Sequence, residues 1–178
     1  MNVVHLVSGE LTGGAAKGAY WLHSGLLNLG QNSHIINNSR NLQSSYKNVH
    51  NIIKSDIQKI KSFVFPQLSL LPVRAYTKRK NLIFSTGFDG YDFTKLDCYK
   101  NADIIHLHWI NNLVSMRSLR NVSKPIVWTL RDMWPLTGGC HVSYNCDRYK
   151  EGCGKCPQLG SNFQYDLSYF ILKYKIKY

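Results

Sequence analysis

Cys140, Cys146, Cys153 and Cys156 form a C-x5-C-x6-C-x2-C arrangement in this 178-residue sequence, while Cys98 stands alone. The last pair, C-G-K-C, has the knuckle form that lets two thiolates meet one tetrahedral ion, and four thiolates complete a closed structural zinc site. The first pair is wider than the usual spacing, so reduced structural thiols and disulfides stay open as alternatives. Upstream, ADIIHLHWIN at 102–111 places His106 and His108 two residues apart. The period of a strand puts both on one face, with His108 nearer the C-terminal edge, where Trp109 and Asn111 follow. His108 can offer a ring nitrogen to a polar ligand there, whereas His106 reads more readily as a hydrogen-bonded interior histidine. TLRDMWPLTGG then delivers Arg131 and Asp132 into a loop. The arginine can bind phosphate or carboxylate bidentately and the aspartate can orient a hydroxyl, or both merely hold the loop.

A fourth stretch, GELTGGAAKGAY, presents backbone amides without side-chain obstruction at a helix start, around Gly13 and Gly14. Such amides face an anion well; a tight turn uses the same glycines. The spacing is neither the dinucleotide G-x-G-x-x-G nor a phosphate loop ending in Gly-Lys-Ser/Thr, so an NAD enzyme and a nucleotide triphosphatase are not supported.

These residues need elements to position them. Asn2–Val7 is an apolar, β-branched run feeding the glycine loop, and Ala19, Leu22, Leu26 and Leu29 recur at helical spacing before a capping Gly30. Strand, glycine loop and helix open a parallel α/β sheet. His34–Ile36 predicts a second strand, and the asparagine-rich stretch to Asn51 reads as loop. Asp56–Phe65 has weak helical periodicity that Pro66 and Pro72 should break, and Leu82–Ser85 predicts a short strand. Ala102–Trp109 and Pro125–Leu130 are strands, with a short helix through Leu113, Met116 and Leu119 between them. A helix starts near Asp166, and no internal repeat is visible. Ligands of open α/β sheets gather at the C-terminal strand ends, where His108 and Arg131 fall.

Composition sets the class. With 44% hydrophobic residues the chain can bury a core, and 22 basic against 10 acidic residues give +12, a balance suited to anionic partners or to a solvated basic face. No apolar run reaches bilayer-spanning length and the start MNVVHLVSGE lacks signal-peptide features, so the expectation is a cytoplasmic protein.

Taken together, GGAAKGAYWLHSGL, ADIIHLHWIN, KPIVWTLRDMWPLTGGCH and CGKCPQL resemble the N-terminal half of bacterial family 4 glycosyltransferases of the colanic acid, capsule and O-antigen (lipopolysaccharide) type, over residues 1 to about 166. The resemblance implies a GT-B architecture of two Rossmann-like domains, with residues 1–178 as the acceptor-side domain carrying a Cys-rich insertion at about 133–159. It implies a retaining hexosyltransferase without a catalytic metal, using a nucleotide-sugar donor bound chiefly by a C-terminal domain absent from these residues. A lipid-diphosphate-linked glycan acceptor at the inner face of the inner membrane follows, as does inactivity of this truncated chain alone. By the same resemblance Gly13 and Gly14 lie beside the donor phosphates, His108 near the transferred sugar, and Arg131 and Asp132 in the cleft on the acceptor side, with Trp109 and Asn111.

Two other classes fit parts of the sequence. A zinc-stabilised nucleic-acid-binding module accounts for charge and cysteines, yet the basic residues are dispersed and the strongest motifs lie at strand ends, which disfavours a nucleic-acid partner. A zinc hydrolase built on His106, His108 and His141 needs an open metal position, which four thiolates would not leave.

Overall fold

The computed structural model describes residues 1–39 and 46–177. Its core is a five-stranded parallel sheet in the order β3-β2-β1-β4-β5, flanked by helices, an α/β fold of Rossmann-like topology. β1 (Asn2–Leu6) lies at the centre, between β2 (Asn32–Asn37) and β4 (Ile104–Leu107), with His5 paired to His106 across the β1–β4 register. β3 (Val49–Asn51) and β5 (Ile126–Trp128) form the edges. Burial on both faces explains the near-continuous apolar run of β1. Val4, Leu6, Ile105 and Leu107 pack into the larger core, whereas Val7 and Ile35 meet α1 (Gly14–Asn28). Fully burying each such aliphatic side chain contributes about 1.5–3 kcal/mol.

α1 turns Ala16, Ala19 and His23 inward; the two alanines let it lie close to the sheet, and His23 pairs with the Ser33 hydroxyl of β2. It ends in a Schellman arrangement: Gly30 at φ +70 donates to the Leu27 carbonyl and Gln31 to that of Leu26. The expected helix near Asp166 is α6 (Leu167–Ile176), capped by the Asp166 carboxylate, which accepts from the Ser168 and Tyr169 amides.

Four expectations differ from the structure. The stretch to Asn51 contains β3, a three-residue edge strand whose V-H-N sequence has no apolar alternation; Arg40–Ser45 of that stretch lie outside the described residues. α2 spans Asp56–Ser69 and continues through Pro66, started by a capping box between Ser55 and Gln58. Short helices α3 (Leu71–Arg74) and α4 (Asp97–Lys100) precede α5 (Met116–Leu119). Leu82–Ser85 makes one antiparallel bridge, Phe84 to Cys140, in place of a strand.

Candidate functional site

The C-terminal ends of β1, β2 and β4 open into a pocket of about 400 Å³. Ser8, Gly9 and Glu10 line it from the turn after β1, Asn38 and Ser39 from the end of β2, and Trp109 and Asn112 from the end of β4. α2 closes one side with Ser62, Phe63, Pro66 and Gln67. The loops are tied together: the Asn38 amide oxygen accepts from the Ser8 hydroxyl and the Gly9 amide, and Asn38 donates to the Asn112 carbonyl. Carbonyls, hydroxyls and amides over one aromatic edge suit a polyhydroxylated ligand.

Beside this pocket, beneath α1, three histidines cluster, with His106 and His108 stacked and His5 tilted against both. His106 and His108 rings lie 4.2 Å apart, and His5 Nδ1 is 3.1 Å from His108 Nε2. Arg131 donates to His108 Nδ1 at 3.2 Å, which fixes the tautomer: His108 Nε2–H donates to His5 Nδ1, and the proton on His5 Nε2 finds no partner. His106 pairs instead with the Thr129 hydroxyl at 2.7 Å. Burial, then the neighbouring histidines, pushes both His5 and His108 down to about 3, so both are neutral at physiological pH. His108 is 2% exposed, within a polar cluster rather than on the wall of an open cleft.

Among the described residues this trio is the one group of three potential ligating atoms within 4.8 Å. The Arg131 cation against His108 opposes a metal ion there. His141, the third histidine of the hydrolase alternative, stands outside the trio.

Asp132 organises the other side. Its Oδ2 accepts from Trp109 Nε1 at 2.8 Å and from His141 Nδ1 at 2.6 Å, and its Oδ1 from the Trp134 amide at 2.9 Å. Burial raises its pKa, but these donors outweigh that and hold the carboxyl below the usual range. His141 Nε2 lies 2.9 Å from the Ser85 hydroxyl, so Asp132, His141 and Ser85 form a hydrogen-bonded relay joining the β5 loop to residue 85. With three donors already on its carboxylate, Asp132 positions Trp109 and has little left for a ligand. Arg131 and Asp132 thus face opposite ways from adjacent positions.

Gly13 caps α1 at φ −73, and Gly14 begins it; both are exposed. A Cβ on Gly14 would meet nothing within 4 Å and one on Gly13 only the Glu10 carbonyl at 4.0 Å. Neither crowding nor backbone conformation within the chain requires glycine, which leaves open space at a helix N-terminus for a ligand. Asn111 is buried, with its amide oxygen unpartnered.

Gly18 is different: a Cβ there would fall 2.9 Å from the Arg131 guanidinium. Gly18→Val is therefore expected to push Arg131 off His108 while leaving the sheet intact. Loss of the Arg131–His108 contact in a crystal structure, with about 1–3 kcal/mol of destabilisation from the unpaired His108 Nδ1, is the expected outcome; an unmoved Arg131 would contradict it.

Residue types and spacing singled out His106, His108, Arg131 and Asp132, but not His5, Asn38 or Ser85. His5 lies inside an apolar run, and only the β1–β4 pairing brings it to His106.

No family model matches the chain, and no solved structure matches it. Over 63 residues it is 38% identical to the Escherichia coli (strain K12) protein named "Putative colanic acid biosynthesis glycosyl transferase WcaC". That match covers 33% of this chain and 16% of that protein, and over this segment the chain is related to a glycosyl transferase.

Proposed function

We propose that this chain is the acceptor-side part of a retaining glycosyltransferase that moves a sugar from a nucleotide-sugar to a lipid-diphosphate-linked glycan in surface polysaccharide assembly. The 63-residue match carries the reading, and the polar pocket at the strand ends supports it. Gly13 and Gly14 leave room for the donor phosphates at the α1 N-terminus, where backbone amides stabilise the charge developing on the leaving group. His108, a buried neutral imidazole with both ring nitrogens engaged by Arg131 and His5, acts from beneath the pocket by positioning Arg131 and does not itself touch the donor sugar. Trp109, fixed by Asp132, and Asn112 form the acceptor side, with buried Asn111 behind them. The reaction needs no catalytic metal in this scheme.

A location at the inner face of the membrane fits the charge and one helix. Among the described residues no helix is long and apolar enough to cross a membrane. α2, however, turns Ile57, Ile60, Val64 and Leu68 outward, and Leu71 continues the row. These positions share one helical stripe, and Lys59 and Lys61 belong to the same helix. An apolar stripe with lysines suits the interface of an anionic bilayer, where each lysine adds roughly 1 kcal/mol.

The test is transfer of labelled sugar onto the lipid-linked acceptor in vesicles, comparing residues 1–178 with a longer protein that supplies a nucleotide-binding half. The longer protein should transfer, faster on anionic than on zwitterionic vesicles, while residues 1–178 alone should not, because positioning and water exclusion need the second wall. Robust transfer by residues 1–178 would overturn the division of labour; no transfer by the longer protein with any nucleotide-sugar would overturn the function.

A further inference from the structure

The Cys-rich loop has so far served only to carry His141. Its four cysteines line one small cavity together with Thr137 and Ser168. The cavity holds about 10 Å³, room for about one water-sized sphere. All four thiols are free, and Cys140, Cys153 and Cys156 are buried. We propose that Cys140, Cys146, Cys153 and Cys156 bind one zinc ion in this cavity, as a closed structural site.

The backbone around the cavity is shaped for it. Gly152, Cys153, Gly154 and Lys155 all have positive φ, from +106 through +64 and +94 to +45. A cysteine and a lysine in that region cost of order 1 kcal/mol each and persist where the surroundings hold them. Here the turn brings Cys153 beside the Gly138 amide, which donates to its Sγ at 3.2 Å, the kind of N–H···S contact that stabilises a thiolate. Cys156 is held from behind, its amide donating to the Asp166 carboxylate at 2.8 Å. Cys140 is fixed by its bridge to Phe84.

Charge gives a second, independent argument. Four thiolates on one Zn²⁺ carry a net charge of about −2. Two cations flank the cavity: Arg148 lines it, and buried Lys175 of α6 interacts electrostatically with Cys140 and Cys153 while donating to the Trp134 and Thr137 carbonyls. Lys175 also interacts with the Asp132 carboxylate, and thiolates would add closer negative charge around it. Binding releases the four thiol protons to solvent, so affinity falls as pH falls. The sulfurs stand wider apart than the roughly 3.8 Å that follows from tetrahedral Zn–S bonds, since no three lie within 4.8 Å, and the ion draws them inward.

The loop needs such a crosslink. Its own core is small: Cys140, Cys156 and Leu159 with Val73, Phe84 and Ile171. Through Cys140 the ion would steady His141, and through it Asp132 and Trp109.

Protein purified under reducing, chelator-free conditions should contain about one zinc per chain. Replacement by Co²⁺ should give intense thiolate-to-metal charge transfer and tetrahedral d–d bands, a signature read without any substitution. Cys153→Ser and Cys156→Ser should each lower zinc content several-fold, whereas Cys98→Ser and His106→Gln should leave it unchanged. Zinc far below one equivalent with four freely titrating thiols would overturn the proposal. So would disulfides under reducing conditions, a cobalt spectrum without thiolate bands, or zinc lost in His106→Gln and kept in Cys156→Ser.

Discussion

Asp132→Ala is expected to lower sugar transfer by the longer protein roughly 100-fold and to lower the melting temperature of residues 1–178 by several degrees. The carboxylate accepts from Trp109 Nε1, His141 Nδ1 and the Trp134 amide, and the pair with His141 is largely shielded, with side-chain exposures of 18% and 7%. Hydrogen bonds to an ionised group contribute about 1.5–3 kcal/mol each, and unpaired partners keep their desolvation cost where water does not reach them. A net loss of about 3 kcal/mol allows for solvent entering the gap. Trp109, with its indole N–H released, would no longer define the pocket edge, and mispositioning of that size lowers turnover by roughly 100-fold. Asp147→Ala is the comparison, because Asp147 makes an exposed i,i+3 pair with Lys150 and should change stability by less than about 0.5 kcal/mol. Equal effects of the two substitutions on melting and on transfer would show that Asp132 organises nothing.

Acid is expected to destabilise the fold well above the carboxylate range. His5 and His108 have native pKa values near 3 through burial, against about 6.5 unfolded. Above pH 6.5 both states are neutral at these residues and the full stability is present. Below it the unfolded chain binds protons that the native cluster refuses, so stability falls as pH drops from 6.5 towards 3, by up to about 1.4 kcal/mol per pH unit for each histidine. By pH 5 the pair accounts for about 4 kcal/mol, an upper bound because the two rings share a hydrogen bond, and a large part of a typical 5–15 kcal/mol total. His106, His23, His34 and His50 are also lowered by burial and act in the same direction. His5→Gln keeps an acceptor for His108 but does not titrate, so melting temperature plotted from pH 6.5 to 5 should be flatter than for the wild type. Parallel curves would mean that His5 is not a base held neutral by burial.

What the sequence made legible depended on how local the signal was. β1, α1 and β4 were readable because an apolar run, a helical repeat ending at Gly30, and the ADIIHLHW alternation each lie within a few turns of chain. β3 was not, since three residues V-H-N become a strand only through pairing with Ile35–Asn37. α2 passed unnoticed beyond Pro66 because its apolar stripe faces outward, so burial did not dictate its length. At the site, same-face placement of His106 and His108 followed from strand period alone. Their third partner, His5, required knowing that β1 lies beside β4, and the Asp132–His141–Ser85 relay joins three segments whose approach is tertiary. The four cysteines were conspicuous by composition, whereas their convergence on one cavity depends on the left-handed turn at Gly152–Lys155.

The central claim, that the strand-end pocket receives a lipid-diphosphate-linked glycan, is tested most directly by amide NMR of residues 1–178 titrated with that acceptor in detergent. Saturable shifts are expected at Ser8, Gly9, Asn38, Trp109 and Asn112, which line the pocket. A shifted Trp109 indole N–H should accompany them, and single-stranded nucleic acid should leave these signals in place. Unchanged pocket amides at saturating acceptor, or shifts confined to the cysteine loop and answered equally by nucleic acid, would contradict it.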